Sequence, residues 1–593
     1  MQRIDRKLDH IMDQRPPGFE QQPLPPIMPW REAGEVLEPM HVDATATTAA
    51  SMAQSEILRR KQRETHVLDE GDLRGALSVF PWPSVQALLA SANRATARDL
   101  EGILAEGSGW LVRHEMLNEA DPLPYDALLR GSNLHVVRGD KEQARIAFPD
   151  LTAEVMDKYT HAYFGSYNLV YPVLDRKDFM DGVLPTVKRH GFADGCLQSL
   201  LALLVFALGA LSCDGANGNP LAQGSGIRGG TVGRPPALDI FNEARKRVGF
   251  VMGSCTVENA QAMVLMAIFY ETCSKHIEHW RSTMAATEVM KAVLRIERNW
   301  DSHGVDMIRR VYWTCNVIES WYYLDLNLPR SDASAFQEFI ALPDFDDRRD
   351  FGEEPSIESR YQYNFLSMIS LRRLIHRSFE ELYEHSGHND GDNADRAIII
   401  AELTRQLDVW RSLLPHELRW DDAARTTYDN KDERTASRGV SAVGAPLHID
   451  ILLAQLRCRY YYARFMIFRP YAWKALHVPP ASLAQAAPVV VDGFVNAVDS
   501  MLQWPVAYPP VCEKKRLIPN NFAWTQSFVM FLLVLRAIKE NELLWAICGE
   551  RLGRARIEES VAVMLEWIKD LRMVDGVAAW AWRTLTPLYG LGE

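Results

Sequence analysis

The sequence lacks closely spaced cysteines. The nearest two of its eight cysteines, Cys196 and Cys213, are 17 positions apart, so no Cys-x-x-Cys pair occurs in the 593 residues. Zinc fingers, zinc clusters and thioredoxin-type redox motifs all need such pairs, and the spacing therefore excludes them. Most of the cysteines lie in apolar helical patterns, where a free thiol behaves as a small hydrophobe. We expect a reducing compartment.

An excess of positive charge is also missing. Lys plus Arg number 65 against 77 Asp plus Glu, a net charge of −12, whereas nucleic-acid-binding domains are usually basic. One short basic turn, Arg245 to Arg247, is expected to be exposed. The strongest apolar run, Leu197 to Leu211, is shorter than the roughly 20 residues of a bilayer span and is predicted as a buried helix. Met1 to Arg15 is charged throughout, unlike a signal peptide, and we expect no membrane association.

Recognisable catalytic and cofactor motifs are absent too. Gly224 to Gly229 matches G-x-G-x-x-G, but it lies in a Gly- and Pro-rich stretch (214–236) that we expect to be a mobile loop and not a strand–helix junction. His276 and His279 are three positions apart, whereas a zinc-protease helix needs four, and a Cys273–His276 nucleophile pair would lie on an apolar helix. An acidic loop lacks the Gly and the spaced Glu of an EF-hand: Asp344, Asp346, Asp347 and Asp350. We predict no catalytic residues and no metal ligands, and leave cofactor-binding residues unknown.

The sequence is rich in apolar residues at helical spacing. Hydrophobic residues make up 47% and charged residues 24%, which is typical of a folded protein with a large core. Val305 to Leu326 contains no Pro or Gly, and Ser302 is expected to cap this helix and Pro329 to end it. Its apolar residues share one face: Ile308, Val311, Tyr312, Cys315, Ile318 and Tyr322. Trp313 and Trp321 widen that face, as expected of a helix buried within a larger helical body.

Similar periodicity recurs along the chain and predicts further helices: Leu151–Phe164, Cys196–Ser212, Leu238–Phe250, Val257–Cys273, Ile277–Ile296, Tyr361–His385, Ala394–Leu414, Ile449–Ile467, Phe522–Lys539 and Ile557–Leu571. No convincing strand pattern occurs. The predicted fold class is therefore all-α, and we expect the Trp-bearing central helix and the Tyr-rich late helix to meet in a shared interior.

The predicted domain organisation is one large multi-helical domain over residues 149–593 behind a disordered N-terminal region. Residues 1–14 carry Ile4, Leu8 and Ile11 at helical spacing and predict a short amphipathic helix, although a solvated tail fits these residues as well. Residues 15–55 are rich in Pro, Gln and Ala, as a disordered linker is. Residues 56–148 are predicted as an accessory helical segment.

Three segments resemble one family. The regulatory domain of fungal transcription factors is similar to Arg309–Cys315 followed by Glu319 and Leu324–Ser331, to the helix end and Pro-containing turn of Tyr163–Asp175, and to Arg459–Pro470. The first of these segments is specific in order and spacing. This regulatory domain is the middle homology region of zinc binuclear cluster activators. The resemblance covers roughly residues 150–590 and implies a large helical regulatory domain.

The same residues also have a purely structural explanation. Trp313 is expected to be a buried anchor, and Arg309 or Arg310 is expected to pair with an acid such as Glu319. The resemblance therefore identifies the domain without turning these residues into a site.

The resemblance implies a nuclear, non-enzymatic regulator of transcription by RNA polymerase II. The partners expected from it are a small-molecule effector, a second copy in a homodimer, and the transcription machinery or a DNA-binding partner, with DNA contacted only indirectly. No cofactor is expected in this chain, and zinc only if a cluster lies upstream. The absent cluster leaves three explanations open: a truncated gene model, a DNA-binding partner, or a protein that has left DNA.

Two other classes of function remain open on the same scaffold. An enzyme would have a pocket with hydrogen-bonded acids or imidazoles, for instance around Cys273, His276 and Asp325. A scaffold would dock partner helices through an exposed Met-rich surface that includes Met263 and Met266.

Overall fold

The described part of the chain is built mainly of α-helices. The computed structural model describes residues 78–92, 94–107, 110, 148–230, 235–296, 301–326, 328–331, 333, 336–345, 357–384, 393–422, 449–479, 488–503 and 515–591. The helices are, in order, α1 (Pro83–Ala92), α2 (Arg94–Glu106), α3 (Ala153–Phe164), α4 (Tyr167–Val170), α5 (Arg176–Asp178), α6 (Leu184–His190), α7 (Leu197–Asn217), α8 (Leu238–Val251), α9 (Val257–Thr272), α10 (His276–Arg295), α11 (Ser302–Leu326), α12 (Ile357–Phe379), α13 (Asn393–Leu413), α14 (Ile449–His477), α15 (Pro488–Gln503), α16 (Asn521–Glu540), α17 (Glu542–Cys548), α18 (Arg554–Leu571) and α19 (Gly576–Tyr589). π-helical turns occur at Phe179–Val183, Glu380–Glu384 and Gly549–Gly553, and 3₁₀ turns at His416–Leu418 and Lys515–Leu517.

The predicted all-α class is confirmed for the residues that the structure describes. They contain no strand, only an isolated bridge between Pro220 and Arg228. The predicted helix at 1–14 and linker at 15–55 lie outside the described residues, as does most of the accessory segment. The domain boundary at residue 149 stays a prediction.

Helix α7 is the apolar centre of the N-terminal half. It was predicted to end at Ser212 but continues to Asn217, and over these 21 residues it is long and apolar enough to cross a bilayer. Instead, 83% of its most apolar window is buried inside the protein, as the sequence predicted, with α3, α8 and α9 packed against it. Gly209 permits the close crossing with α3, because a Cβ there would lie 1.9 Å from the carbonyl oxygen of Tyr159.

Helix α14 is longer than the sequence predicted. It does not end near Ile467 but continues through Pro470 to His477. A proline inside a helix cannot donate to the carbonyl four residues earlier, here that of Met466. The hydroxyl of Tyr383 donates to this carbonyl at 2.6 Å, so the carbonyl keeps a hydrogen bond and the helix continues.

The C-terminal helices form a second apolar core around tryptophan side chains. Trp524 of α16 stacks on Trp567 of α18 with ring centres 5.8 Å apart. Trp580 of α19 contacts Phe80 at 6.3 Å and Trp110 at 5.3 Å. The first described segment of the chain therefore packs against its last helix.

The Gly- and Pro-rich stretch that was expected to be mobile is tied down where the structure describes it. Asp570 of α18 accepts hydrogen bonds from the backbone N–H of Gly226 at 2.8 Å and from the hydroxyl of Ser225 at 2.6 Å. Lys515 pairs with the same carboxylate at 2.6 Å. The G-x-G-x-x-G residues thus serve to attach a loop to the C-terminal core.

The basic turn on α8 was expected to be exposed, and this expectation is wrong for Arg247. Its guanidinium is buried and pairs with Glu243 at 2.9 Å and with Asp194 at 3.0 Å. Lys246 also pairs with Glu243. Acids therefore pair with two of the three basic residues of this turn.

Candidate functional site

The central helix α11 is fixed by side chains at its N-terminal end. Asp301 caps it by accepting the N–H of Gly304 at 2.7 Å. The expected cap, Ser302, is instead the first residue of the helix, and a cap is the residue that precedes the first helical one. Arg309 pairs with Asp344 at 2.6 Å, which holds the following loop against the helix.

Glu319 does not pair with either predicted arginine. Arg310 pairs with Asp306, one helical turn before it, at 2.5 Å. Glu319 lies on a different part of the helix surface and accepts the N–H of Ser331, and its other oxygen accepts the Ser331 hydroxyl at 3.1 Å. The carboxylate therefore holds the turn after α11 in place.

Trp321 of α11 stands where three helices meet. Its ring is buried, with the guanidinium of Arg372 from α12 at 5.0 Å and that of Arg459 from α14 at 5.8 Å. The ring of Tyr171 approaches at 6.1 Å. Cations close to an indole face are stabilised by its quadrupole, more strongly when water is excluded. The Trp-bearing helix and the Tyr-rich helix thus meet through this side chain, as predicted.

Glu271, near the end of α9, extends this buried cluster. It accepts the hydroxyl of Tyr171 at 3.0 Å and the backbone N–H of Asn520. Burial raises the pKa of Glu271 to about 7, against the opposing effects of these two hydrogen bonds and of the charges of His276 and Arg459. A carboxyl that titrates near neutrality therefore lies in the interior.

A narrow cleft, which we call the arginine cleft, lies between α11 and α12. Its charged and aromatic lining consists of Glu319, Tyr323, Arg330, Arg372, Arg373 and His376, and its volume is about 20 Å³. Arg330 lies over the ring of Tyr323 at 4.8 Å and contacts His376. Glu380 at the rim lies 3.8 Å from Arg330 and 3.4 Å from His376.

The carboxyl of Glu319 is the acid that lines the arginine cleft. Burial raises its pKa to about 7, while two hydrogen bonds from Ser331 and the charges of Arg330 and Lys291 act in the opposite direction. The carboxyl therefore titrates near neutral pH. It can accept hydrogen bonds as a carboxylate or donate one as an acid.

A wider surface pocket of about 440 Å³ lies where α13 ends beside α14. Arg411 lies over the rings of Trp420 at 4.8 Å and Tyr460 at 5.3 Å, and pairs with Asp422 at 2.6 Å. The hydroxyl of Tyr460 donates to Asp408 at 2.8 Å. In these contacts the charged groups around the pocket bind one another and hold the end of α13 against α14.

Cys273 and His276, which the sequence offers as a nucleophile pair, have contacts and environments of other kinds in the structure. His276 pairs with Asp575 at 3.2 Å, whereas His279 bonds a backbone carbonyl through Nδ1 at 2.8 Å. Burial lowers the pKa of His279 to about 4 and raises that of Cys273 to about 12, so this thiol stays protonated and unreactive near pH 7. The side chain of Asp325 lies outside the described residues. The absence of catalytic residues stays a prediction.

The Met-rich docking surface of the scaffold hypothesis is wrong for the two residues that carried it. Met263 and Met266 are both buried. They lie on α9, which is apolar on most sides and packs against α7, α10 and α11. Their thioethers fill the core.

One group of ligand-type side chains has no counterpart among the residues singled out from the sequence. Asp175, Asp178 and His303 bring their potential ligand atoms within 4.8 Å of one another. His303 contacts Asp178 at 2.8 Å, and this contact raises the pKa of the imidazole. Asp175 caps α5 by accepting two backbone N–H groups. Asp178 and His303 are 125 positions apart, so the sequence contains no local signal for this partly exposed group. The observed contacts explain Asp175 as a helix cap and the other two residues as a surface ion pair.

Comparison with known families finds a match to the central part of the chain. Residues 160–412 match the family described as the fungal specific transcription factor domain, so the resemblance seen in the sequence is confirmed over that range. The match includes every residue named in the arginine cleft. The match supports a relation to fungal transcription factors, a family of regulators and not of enzymes. No match was found among curated proteins or solved structures.

Proposed function

With residues 160–412 matching a fungal transcription-factor domain, we propose that this protein is an effector-responsive regulator of RNA polymerase II transcription that acts in the nucleus without enzymatic activity. The family match is the observation that carries the proposal. The three segments that resemble the family support it, because two of them, the central helix and the Tyr-rich helix, meet at Trp321.

DNA contact is proposed to come from outside the described helices. The sequence has no cysteine pair that could bind a zinc cluster, and its net charge is −12, which disfavours a direct grip on phosphates. We propose that a zinc cluster encoded upstream or a DNA-binding partner supplies this contact. A homodimer and contacts with the transcription machinery are part of the same proposal.

The effector response is proposed to use the junction of α11, α12 and α14. Arg372 lines the arginine cleft and also lies over Trp321, while Arg459 of α14 lies near the same ring. A ligand shifts a conformational equilibrium only if it binds two states differently. Moving Arg372 would change the contacts of Trp321, which gives a ligand in the cleft a direct path to α14.

Tethering the full chain to a reporter promoter tests the regulatory role. The chain would be fused to a heterologous DNA-binding domain in a fungal host, with that domain alone at an equal protein level as the control. We expect a severalfold change in reporter transcript, up or down, and nuclear accumulation of a fluorescent fusion. Unchanged transcript together with exclusion from the nucleus would reject the proposal.

A further inference from the structure

Glu271 joins three segments that are far apart in the sequence. It lies near the end of α9, and its carboxyl accepts the hydroxyl of Tyr171 and the backbone N–H of Asn520, the residue just before α16. Residues 171 and 271 lie within the range that matches the family, whereas residue 520 lies beyond it. The carboxyl therefore connects the family-matched part of the chain to the C-terminal helices.

This carboxyl is buried without an ion pair. Glu271 is only 7% exposed, and in the described part of the chain its two hydrogen bonds come from neutral donors, with no cation in contact. A buried carboxylate has lost its hydration, and without an ion pair little compensates for the loss. Ionisation of Glu271 therefore favours any local opening that lets water reach the carboxylate.

The charged and titratable groups around Glu271 do not remove this cost. The side chains that face this joint are Tyr167 of α4, Tyr171, His276 of α10, Arg372 of α12 and Arg459 of α14. His276 pairs with Asp575 at 3.2 Å. The charges of His276 and Arg459 oppose the effect of burial, yet the pKa of Glu271 is still raised to about 7.

Asn520 adds a second cost to the same joint. Its backbone lies in the left-handed region, with φ at 55°, which is unfavourable for a residue other than glycine. Its side chain is fully buried, and neither polar atom of the amide has a hydrogen-bond partner among the residues that the structure describes. A buried amide without a partner destabilises the folded state. The residue that Glu271 holds is thus itself strained in the closed arrangement.

We propose that the contact between Glu271 and Asn520 is a pH-sensitive clasp, which is closed while the carboxyl is protonated and opens locally when the carboxyl is ionised. A protonated carboxyl still accepts the N–H of Asn520 through one oxygen and can donate its proton to the hydroxyl oxygen of Tyr171. Opening separates the start of α16 from α9 and so loosens the connection between the family-matched helices and the C-terminal ones.

The opening is confined to a short segment, residues 518–520. On one side of it, Lys515 stays paired with Asp570, and Arg516 stays bonded to backbone carbonyls of the loop at 228–229. Within the segment, the bond from the Gln455 amide to the carbonyl of Pro519 at 3.2 Å has to break together with the clasp. The remaining contacts hold the turn in place, so that the clasp can close again.

The size of the effect follows from the linkage between proton binding and opening. The carboxyl has a pKa of about 7 when closed and its ordinary value of 4.5 when water reaches it. The closed state is therefore favoured fully below pH 4.5 and progressively less as pH rises through 7. Between pH 6 and pH 8 the equilibrium constant for opening should rise roughly tenfold.

Hydrogen–deuterium exchange of the purified full chain, read by mass spectrometry, tests the clasp. Peptides that contain Asn520 are compared at pH 6 and pH 8, with correction for the intrinsic pH dependence of exchange. We expect their amides to exchange much faster than those of α7, with no response to low urea concentrations, and roughly tenfold faster at pH 8 than at pH 6. Exchange as slow as that of α7, with the same response to urea, would mean that this segment opens only on global unfolding, and would reject the clasp.

Three variants assign the pH dependence. Glu271→Gln does not titrate, so the change between pH 6 and pH 8 should disappear, whereas Glu258→Gln, at an exposed position of the same helix, should keep it. Tyr171→Phe removes a hydrogen bond that lowers the pKa of Glu271, so the rise in exchange should continue to higher pH. A pH dependence that persists in Glu271→Gln would assign it to another group, such as His276. An unchanged profile in Tyr171→Phe would also contradict the clasp, and this variant decides if Glu271→Gln fails to fold.

The clasp goes beyond the proposed function and does not rest on it. A protein that regulates the reporter but shows no local opening rejects only the clasp. A protein that opens as described but leaves the reporter and its localisation unchanged rejects only the regulatory role.

Discussion

Replacing Glu271 with glutamine should change how the stability of the protein depends on pH. Burial raises the pKa of this carboxyl from its ordinary 4.5 to about 7 in the folded protein. Since the folded state binds the proton more tightly than the unfolded chain, stability from this group is fully present below pH 4.5 and is lost as pH rises through 7. At about 1.4 kcal/mol per pH unit, the full loss is roughly 3 kcal/mol.

Most of this loss falls in an accessible pH range. For a single group with those two pKa values, roughly 2.5 kcal/mol of unfolding free energy disappears between pH 5 and pH 8. Glutamine keeps the size of the side chain and can still accept the Asn520 N–H, but it does not titrate. The variant should therefore gain roughly 2.5 kcal/mol relative to the wild type over this interval. Other titrating groups, among them Glu319 and His279, are present in both proteins and cancel in the difference.

Urea unfolding followed by circular dichroism at pH 5, 6, 7 and 8 measures this difference. The matched control is Glu258→Gln, which changes an exposed glutamate in the first turn of the same helix and should show a difference that is nearly independent of pH. A Glu271→Gln difference that stays constant within about 0.5 kcal/mol across the range would refute the reasoning, because the carboxyl would then not titrate there.

Two further substitutions test the packing. Gly209→Ala should lower the unfolding free energy by at least about 2 kcal/mol, because the added methyl group meets a backbone carbonyl. The control Gly249→Ala, where nothing lies within 4 Å, should raise the unfolding free energy by about 0.5–1 kcal/mol. Equal effects of the two substitutions in urea unfolding would contradict the close crossing of α3 and α7. Asp570→Asn should release the loop at 219–230 and speed its cleavage in limited proteolysis, while the exposed Glu566→Gln should not; unchanged cleavage would mean that this carboxylate does not hold the loop.

The helices could be predicted from periodicity, whereas their ends depended on contacts that the sequence does not display. The central helix ends at Leu326, as the proline after it indicated. The late helix was predicted to end at Ile467, ten residues before its end at His477. Only the folded structure brings the hydroxyl of Tyr383 to the carbonyl of Met466, to which Pro470 cannot donate a hydrogen bond.

The arginine cleft could not be predicted for a similar reason. Arg330 and His376 are 46 positions apart and come from a turn and a helix that the sequence does not relate. Glu319 stands in a segment that resembles the family, where the sequence predicts a pair between Arg309 or Arg310 and an acid such as Glu319. In the structure Arg309 pairs with Asp344 and Arg310 with Asp306, and Glu319 accepts hydrogen bonds from Ser331 in the following turn.

The long apolar helix α7 also has a consequence for synthesis on the ribosome. Of the helices that pack against α7, α3 is synthesised before it, whereas α8 and α9 are synthesised after it. The turn Lys515–Leu517, which also contacts α7, emerges 300 residues after Asn217. At roughly 5–20 residues per second, that delay is about 15–60 s. Throughout this interval the nascent chain carries an incompletely covered 21-residue apolar segment, so we expect it to depend on chaperones until residues 515–517 have emerged.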